Sequence, residues 1–349
     1  MNLRIQEPRA PRNTDAALPA GGIVSVAVPA PTSPIRSYLQ SRGNSSMADS
    51  TFRWLMLLCA LSIFAIVALI ATELVTHSQI TLAKFGWKFF VGSAWDPVNN
   101  NFGALPFIYG TIMTSIVALV IAVPLAVGVA VFLTEMCPKA LRGGLSFLTE
   151  LLAAIPSVVY GLWAIFVLVP LLRTYINPFL IDVLGWTGLF VRPDFGIGMF
   201  AAGVILAIMI LPIISSLTRE VMSAVPHTQR EAVLALGATR WEMIRMGVLR
   251  NARIGIVGSI ILGLGRALGE TMAVAMVIGS SPTISKSLLA PAATMASVIA
   301  NEFAEASDDT YRSALIEIGL ALFLVTIVVN ILARLLVWAV TRGAPARVS

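Results

Sequence analysis

Residues 226–242 read Pro-His-Thr-Gln-Arg-Glu-Ala-Val-Leu-Ala-Leu-Gly-Ala-Thr-Arg-Trp-Glu, between two long apolar runs, and the reading of this stretch decides what surrounds it. Pro226 suits the first turn of a helix, where a missing N–H costs nothing. Glu231, Ala232, Val233, Leu234, Ala235 and Leu236 continue that helix. Gly237 then supplies the left-handed conformation that commonly ends one. Thr239 and Glu242 form a T-x-x-E capping box, which starts another element. The connection at about 218–253 is therefore predicted to hold two short helices, the second opening near Pro226, then a sharp turn and a third element. With Leu234 and Leu236 beside Arg230 and Glu231, the helix is a compact amphipathic knob.

No soluble core can be assembled around this knob. The chain has 349 residues, of which 57% are hydrophobic and only 12% charged, whereas soluble domains carry about 25% charged residues. Crossing roughly 30 Å of hydrocarbon takes about 20 apolar residues in a helix. Six runs meet that length, approximately Phe52 to Val75, Phe107 to Leu133, Phe147 to Leu172, Phe195 to Leu217, Ile254 to Ile278 and Ala314 to Val340. The fold class is all-α integral membrane, a six-helix domain over 51–342 in a lipid bilayer. Pro124, Pro156 and Pro212 lie in these runs and are expected to kink them. Residues 1–50, punctuated by six prolines, read as a disordered tail, and 343–349 as a short C-terminal tail. The first run has no cleavage pattern and reads as an uncleaved signal anchor.

A pI near 9.7 raises the question of nucleic acid. The charges answer it, because they fall in short connections between apolar runs, as membrane topology requires. Seventeen Lys and Arg residues lie on the side of both termini and six on the other, leaving Arg266 aside. Both termini are therefore expected in the cytoplasm. The opposite connections, such as Trp87 to Pro106, are rich in aromatic residues, Pro and Asn. They suit either contact with an extracytoplasmic partner or a packed cap over the helices. Cys59 and Cys137 stand at no motif spacing, and His77 and His227 are the only histidines, so neither a disulfide nor a metal site is expected.

The fifth run contains Gly265-Arg266-Ala267-Leu268-Gly269-Glu270. A four-residue separation puts Arg266 and Glu270 on one face if the helix is continuous. An ion near the bilayer centre costs about 2.5–3.5 kcal/mol on insertion scales, so both should face the bundle interior. Gly265 and Gly269 would let a neighbouring helix approach. Two roles are open to the pair, a salt bridge locking the helix to a neighbour or attraction of an anion in transit. A guanidinium fork suits phosphate oxygens, and a carboxylate can accept a hydrogen bond from a protonated phosphate. Glu150 is expected to reach the cytoplasmic interface, and Glu317, near the outer end of the sixth run, to pack or hydrogen-bond.

Glu231-Ala232-Val233 followed by Gly237, with Arg230 before it, resembles the EAA loop of ABC importer permeases. Gly265 to Val274, Ala154 to Trp163 and Gly103-Ala104-Leu105-Pro106 with Tyr109-Gly110-Thr111 resemble three stretches of the PstC-type phosphate permeases. The resemblance implies the type I importer permease fold and a coupling loop (Arg230, Glu231, Ala232, Gly237) that docks on an ATPase. It also implies roles for Arg266 and Glu270 in the substrate pathway. The implied assembly has a second permease (PstA-type), an ATPase dimer (PstB-type) and an extracytoplasmic phosphate-binding protein (PstS-type). Two positions depart from the pattern: Val233 replaces the motif's second Ala, and Arg250 stands where the family usually has Pro.

No G-x-x-x-x-G-K-[ST] loop is present, so ATP must be bound and hydrolysed by a partner, and no cofactor is expected in this chain. An intramembrane enzyme would need a nucleophile and base on facing helices, and no such pair stands out. A permease for sulfate or molybdate and a phosphate-signalling component are the competing readings.

Overall fold

The computed structural model describes residues 45–192 and 194–341, so the expected tails lie outside the described residues except for 45–50. Those six positions are helical, which moves the end of the tail forward. The chain divides into two units, Met1–Phe64 and Ala65–Ser349. In the first, the helix α1 (Ser45–His77) begins, and its side chains from Phe52 to Phe64 are exposed. An apolar surface of that kind is stable only in lipid.

The second unit carries α2 (Gln79–Phe85), α3 (Lys88–Val91), a hairpin of β1 (Trp95–Asp96) and β2 (Asn101–Phe102), and α4 (Leu105–Val131). Then come α5 (Lys139–Ala154), α6 (Ser157–Trp163), α7 (Asn177–Leu184), α8 (Met199–Ser223) and α9 (His227–Ala235). The chain ends in α10 (Arg250–Gly269), α11 (Met272–Val277), α12 (Met295–Glu302) and α13 (Asp309–Thr341). Among the described residues six stretches are long and apolar enough to span a membrane: Asp49–His77, Leu105–Met136, Ser157–Thr187, Met199–Ser223, Arg240–Gly269 and Asp309–Leu335.

The core is built on α4 against α8. Lipid removes the hydrophobic drive between helices, so close van der Waals approach must replace it. Ala118, Ala122, Ala126 and Ala130 repeat every four residues on α4 and are fully buried. From α8, Gly203 lies so near Val117 that a Cβ would collide with it. Pro124 and Pro212 sit inside these two helices without ending them. A hydroxyl pair, Thr218 and Ser259 at 2.9 Å, joins α8 to α10.

Two expected spans are corrected. The third does not run from Phe147: Ile155 and Pro156 are extended, with ψ near 129° and 141°, so α5 is a separate amphipathic helix and the span starts at Ser157. The ring's Cδ disfavours the helical region for the residue before a proline; at Ile155 the chain yields to that preference and the helix breaks, whereas at Pro124 and Pro212 it does not. The fifth is interrupted too, because Glu270 is extended at φ −71°, ψ 127°. In the connection 218–253, α8 continues to Ser223, so the first of the two expected short helices is only its end.

The outer connections form a packed cap. Trp95 meets Phe102 and Phe107 edge-on with ring centroids 4.9 Å away in each case, and Phe102 stacks on Tyr311. Glu302 gathers the cluster, accepting hydrogen bonds from Trp95 Nε1 at 2.9 Å and the Tyr311 hydroxyl at 2.6 Å. At the hairpin tip, hydrogen bonds from the Asn99 side chain and from the backbone of Asn99 and Val98 hold the Asp96 carboxyl below its ordinary range. Nearby, Ser313 donates to the His77 carbonyl at 3.0 Å and lies 3.1 Å from the Thr81 hydroxyl. Glu317, one turn on, is fully buried, and among the described residues its carboxyl oxygens have no hydrogen-bond partner. Its full burial fits the packing role expected for it.

Candidate functional site

The knob forms as its residues dictate. Pro226, extended at ψ 142°, precedes α9 as its N-cap, one position earlier than the first-turn placement expected for it. Gly237 takes φ +83°, and nothing lies within 4 Å of where its Cβ would be, so backbone conformation alone calls for glycine there. Thr239 and Glu242 make both hydrogen bonds of the capping box. The helix they start runs through a π-helical segment, Met243–Leu249, into α10. Arg250 has ordinary helical dihedrals and is exposed, so the chain passes the usual proline position without a break.

Side chains on the knob divide sharply. Glu231 and Ala232 are exposed, as are Leu234, Leu236 at 88% and Trp241 at 62%. Val233 turns the other way, and a Cβ on Gly247 would sit 3.4 Å from its Cγ2. The larger residue at the second alanine of the motif is thus matched by a glycine opposite. Asn251 ties the same joint, donating to Gln229 Oε1 at 2.8 Å and to the Gly247 carbonyl at 2.7 Å.

Arg230 is not part of the exposed face. Its side chain is 12% exposed and makes an ion pair at 3.0 Å with Glu135, itself 8% exposed. Nη1 also donates to the Val225 carbonyl at 2.8 Å and Nη2 to the Met222 carbonyl at 2.9 Å. Met222 stands in the last turn of α8, where carbonyls lack helical partners, and Val225 lies two residues past its end. Glu135 was not singled out from the sequence. The available signal was an acidic residue at the end of an apolar run, opposite an arginine-rich connection.

In the membrane, Arg266 and Glu270 are separated instead of paired. Arg266 lies on α10 and is exposed; Glu270 lies beyond the helix end and is half-buried, so the expected common helical face does not exist. Among the described residues neither makes an ion pair or a side-chain hydrogen bond. Nothing lies within 4 Å of a Cβ at Gly265 or Gly269, so no helix among the described residues uses the close approach they permit. The salt-bridge role thus has no partner among the described residues. Arg266 is close enough to Tyr160 to interact with it electrostatically. Glu150, at 59% exposure, pairs with Arg219 at 2.9 Å.

The two broken helices meet, because α6 packs against α11. Gly161 permits this: a Cβ there would sit 2.5 Å from Met276 Sδ and 3.1 Å from Ala273 Cα. The Tyr160 hydroxyl donates to the Leu152 carbonyl at 2.7 Å across the first break. Gly110 likewise lets α4 touch the backbone of Ala293, and Thr111 Oγ1 accepts the Met295 N–H at 3.0 Å. Interrupted backbone at membrane depth is tolerated only in protein or along a water-filled cavity. Two such interruptions therefore lie near the unpaired guanidinium of Arg266.

The family model described as binding-protein-dependent transport system inner membrane component matches residues 122–342. The phosphate transport system permease protein PstC of Mesorhizobium japonicum is 45% identical over 293 residues, covering 83% of this chain and 90% of that protein. PstC of Haemophilus influenzae is 47% identical over 298 residues, with 84% and 94% covered. A solved bacterial ABC transporter for import of the acidic polysaccharide alginate has a chain that superposes with a TM-score of 0.56 at 17% identity. That match covers 84% of this chain and 99% of the other, and it shows a common fold.

Proposed function

We propose that this chain, which belongs to the binding-protein-dependent transport system inner membrane component family and within it to the PstC-type permeases, forms half of a translocation path for inorganic phosphate. It is a multi-pass inner-membrane permease subunit and not an enzyme. A second permease of PstA type completes the path, a PstB-type ATPase dimer drives it, and a PstS-type binding protein delivers phosphate to the outer cap. The excess of Lys and Arg on the side of the termini supports a cytoplasmic location for both ends and for the knob.

The observation that carries this reading is the unpaired Arg266 beside two helix breaks, in a chain whose relatives are named for phosphate transport. A guanidinium with no partner of its own offers a planar fork of donors to a tetrahedral oxyanion. Glu270, on the extended backbone just beyond it, would accept a hydrogen bond from a protonated phosphate oxygen. Fully deprotonated sulfate has no such proton. The carboxylate also keeps the site from holding the anion too tightly to release it. Force enters through Glu231, Ala232 and the exposed leucines of α9, turned at Gly237 and supported from behind by Arg230.

The test is uptake of labelled phosphate by cells lacking the chain and complemented with wild type or Arg266→Ala, each at equal abundance in the membrane. Uptake should fall about a hundredfold, as expected when a hydrogen-bonded charge is lost from the barrier step, ~2.7 kcal/mol. Unlabelled sulfate and molybdate should not compete in the wild type. Full uptake by the variant would remove Arg266 from the path, and competition by sulfate would give the chain to another oxyanion.

A further inference from the structure

The coupling knob is held to the rest of the subunit by its joint with Gly247 and Asn251 and by a buried ion pair that packing alone does not require. Glu135 stands in a π-helical turn, Phe132–Met136, at the end of α4, where the Cys137 N–H donates to the Phe132 carbonyl at 2.8 Å. The extra residue in such a turn changes which face the following side chains occupy. Here the carboxylate is 8% exposed and meets Arg230 of α9 at 3.0 Å. Arg230 simultaneously holds the Met222 and Val225 carbonyls at the end of α8. From the start of the fifth span, Arg240 Nη2 donates to the backbone carbonyl of Glu135 at 3.1 Å. The ends of the second and fourth spans, the knob and the start of the fifth therefore converge on one ion pair.

We infer that Glu135 is a positioning residue for transport: its pair with Arg230 is the strut that carries displacement of the knob into α4 and α8. This inference rests on the reading of α9 as the ATPase-docking element. The joint with the fifth span rests on Val233 against Gly247 and one neutral hydrogen bond, Asn251 to Gln229, and carries no charge pair. A charge pair with three fixed hydrogen bonds on the guanidinium cannot slide without breaking. Beyond it, the alanine stripe seats α4 on α8, so the two helices move as one body. Arg230 Nε is buried with no partner among the described residues. The fork is thus engaged through its Nη atoms alone.

The experiment uses the complete importer in proteoliposomes, with phosphate uptake and ATP hydrolysis measured on the same preparation. The quantity read is phosphate imported per ATP hydrolysed, which loss of assembled complex does not alter. Glu135→Gln should lower that ratio about tenfold, within the range of coupling changes produced by residues that touch neither ligand. Glu135→Asp, which keeps the charge, should recover most of it. A wild-type ratio in Glu135→Gln, or a Glu135→Asp variant as uncoupled as the Gln one, overturns the strut. Leu236→Asp tests the underlying reading separately: it should release the ATPase, and normal ATPase association in that variant would sink the docking assignment whatever Glu135 does.

Discussion

Two arginines of this chain have opposite situations. Arg230 is nearly enclosed, pairs with Glu135 and donates to two carbonyls at the end of α8. Arg266 is exposed on the chain, and no carboxylate among the described residues pairs with it, although Glu270 is only four positions away. The first has its charge satisfied internally and so holds the protein together. The second has no such internal partner among the described residues, which is the condition the proposed phosphate path needs. Sequence motifs mark both equally, and it is burial and pairing that separate a cation satisfied within the chain from one that is not.

The comparison predicts different phenotypes, and the largest concerns stability. Arg230→Ala leaves Glu135 buried without its partner, which costs about 3–5 kcal/mol. Arg266→Ala should change stability by no more than ~0.5 kcal/mol, since it breaks no internal bond. Thermal unfolding of the two variants in detergent reads this directly, and equal losses would erase the distinction. Next in size is Gly237→Val, which forces a β-branched residue to φ +83°. The left-handed region costs an ordinary residue roughly 1–2 kcal/mol, more when branched. The knob should be misdirected, and co-purification of the ATPase should fall while membrane abundance holds. Smallest is Tyr160→Phe, which removes the bond to Leu152 that spans the break beside Arg266. A loss of about 1 kcal/mol is expected, and an unfolding temperature equal to wild type would show that the break needs no such brace.

The membrane class was legible because hydrocarbon thickness imposes a length, and six runs of that length cannot be hidden by any packing. The turn at Gly237 and the capping box were legible because each depends on residues within a few positions of one another. The helix breaks were not. Hydropathy is blind to backbone dihedrals, so the runs through Pro156 and Glu270 look continuous, and Pro156 reads as a bend when it is an interruption. Arg230 was read as part of the docking motif because its partner lies 95 residues earlier in the chain. A charge's role depends on whether its neighbour is distant sequence or open space, and only the fold decides that. Val233 is the converse case: an apparent departure from a motif is absorbed by Gly247, which the motif does not include.

Leu236 and Trp241 project from the knob with little of this chain to cover them. Under the docking proposed for the knob, a subunit made without its motor would carry that apolar surface bare, a natural target for chaperones and proteases. The cell therefore has a reason to synthesise the permease and the ATPase in balanced amounts. An orphan copy should be short-lived, and its lifetime should lengthen when the motor is supplied.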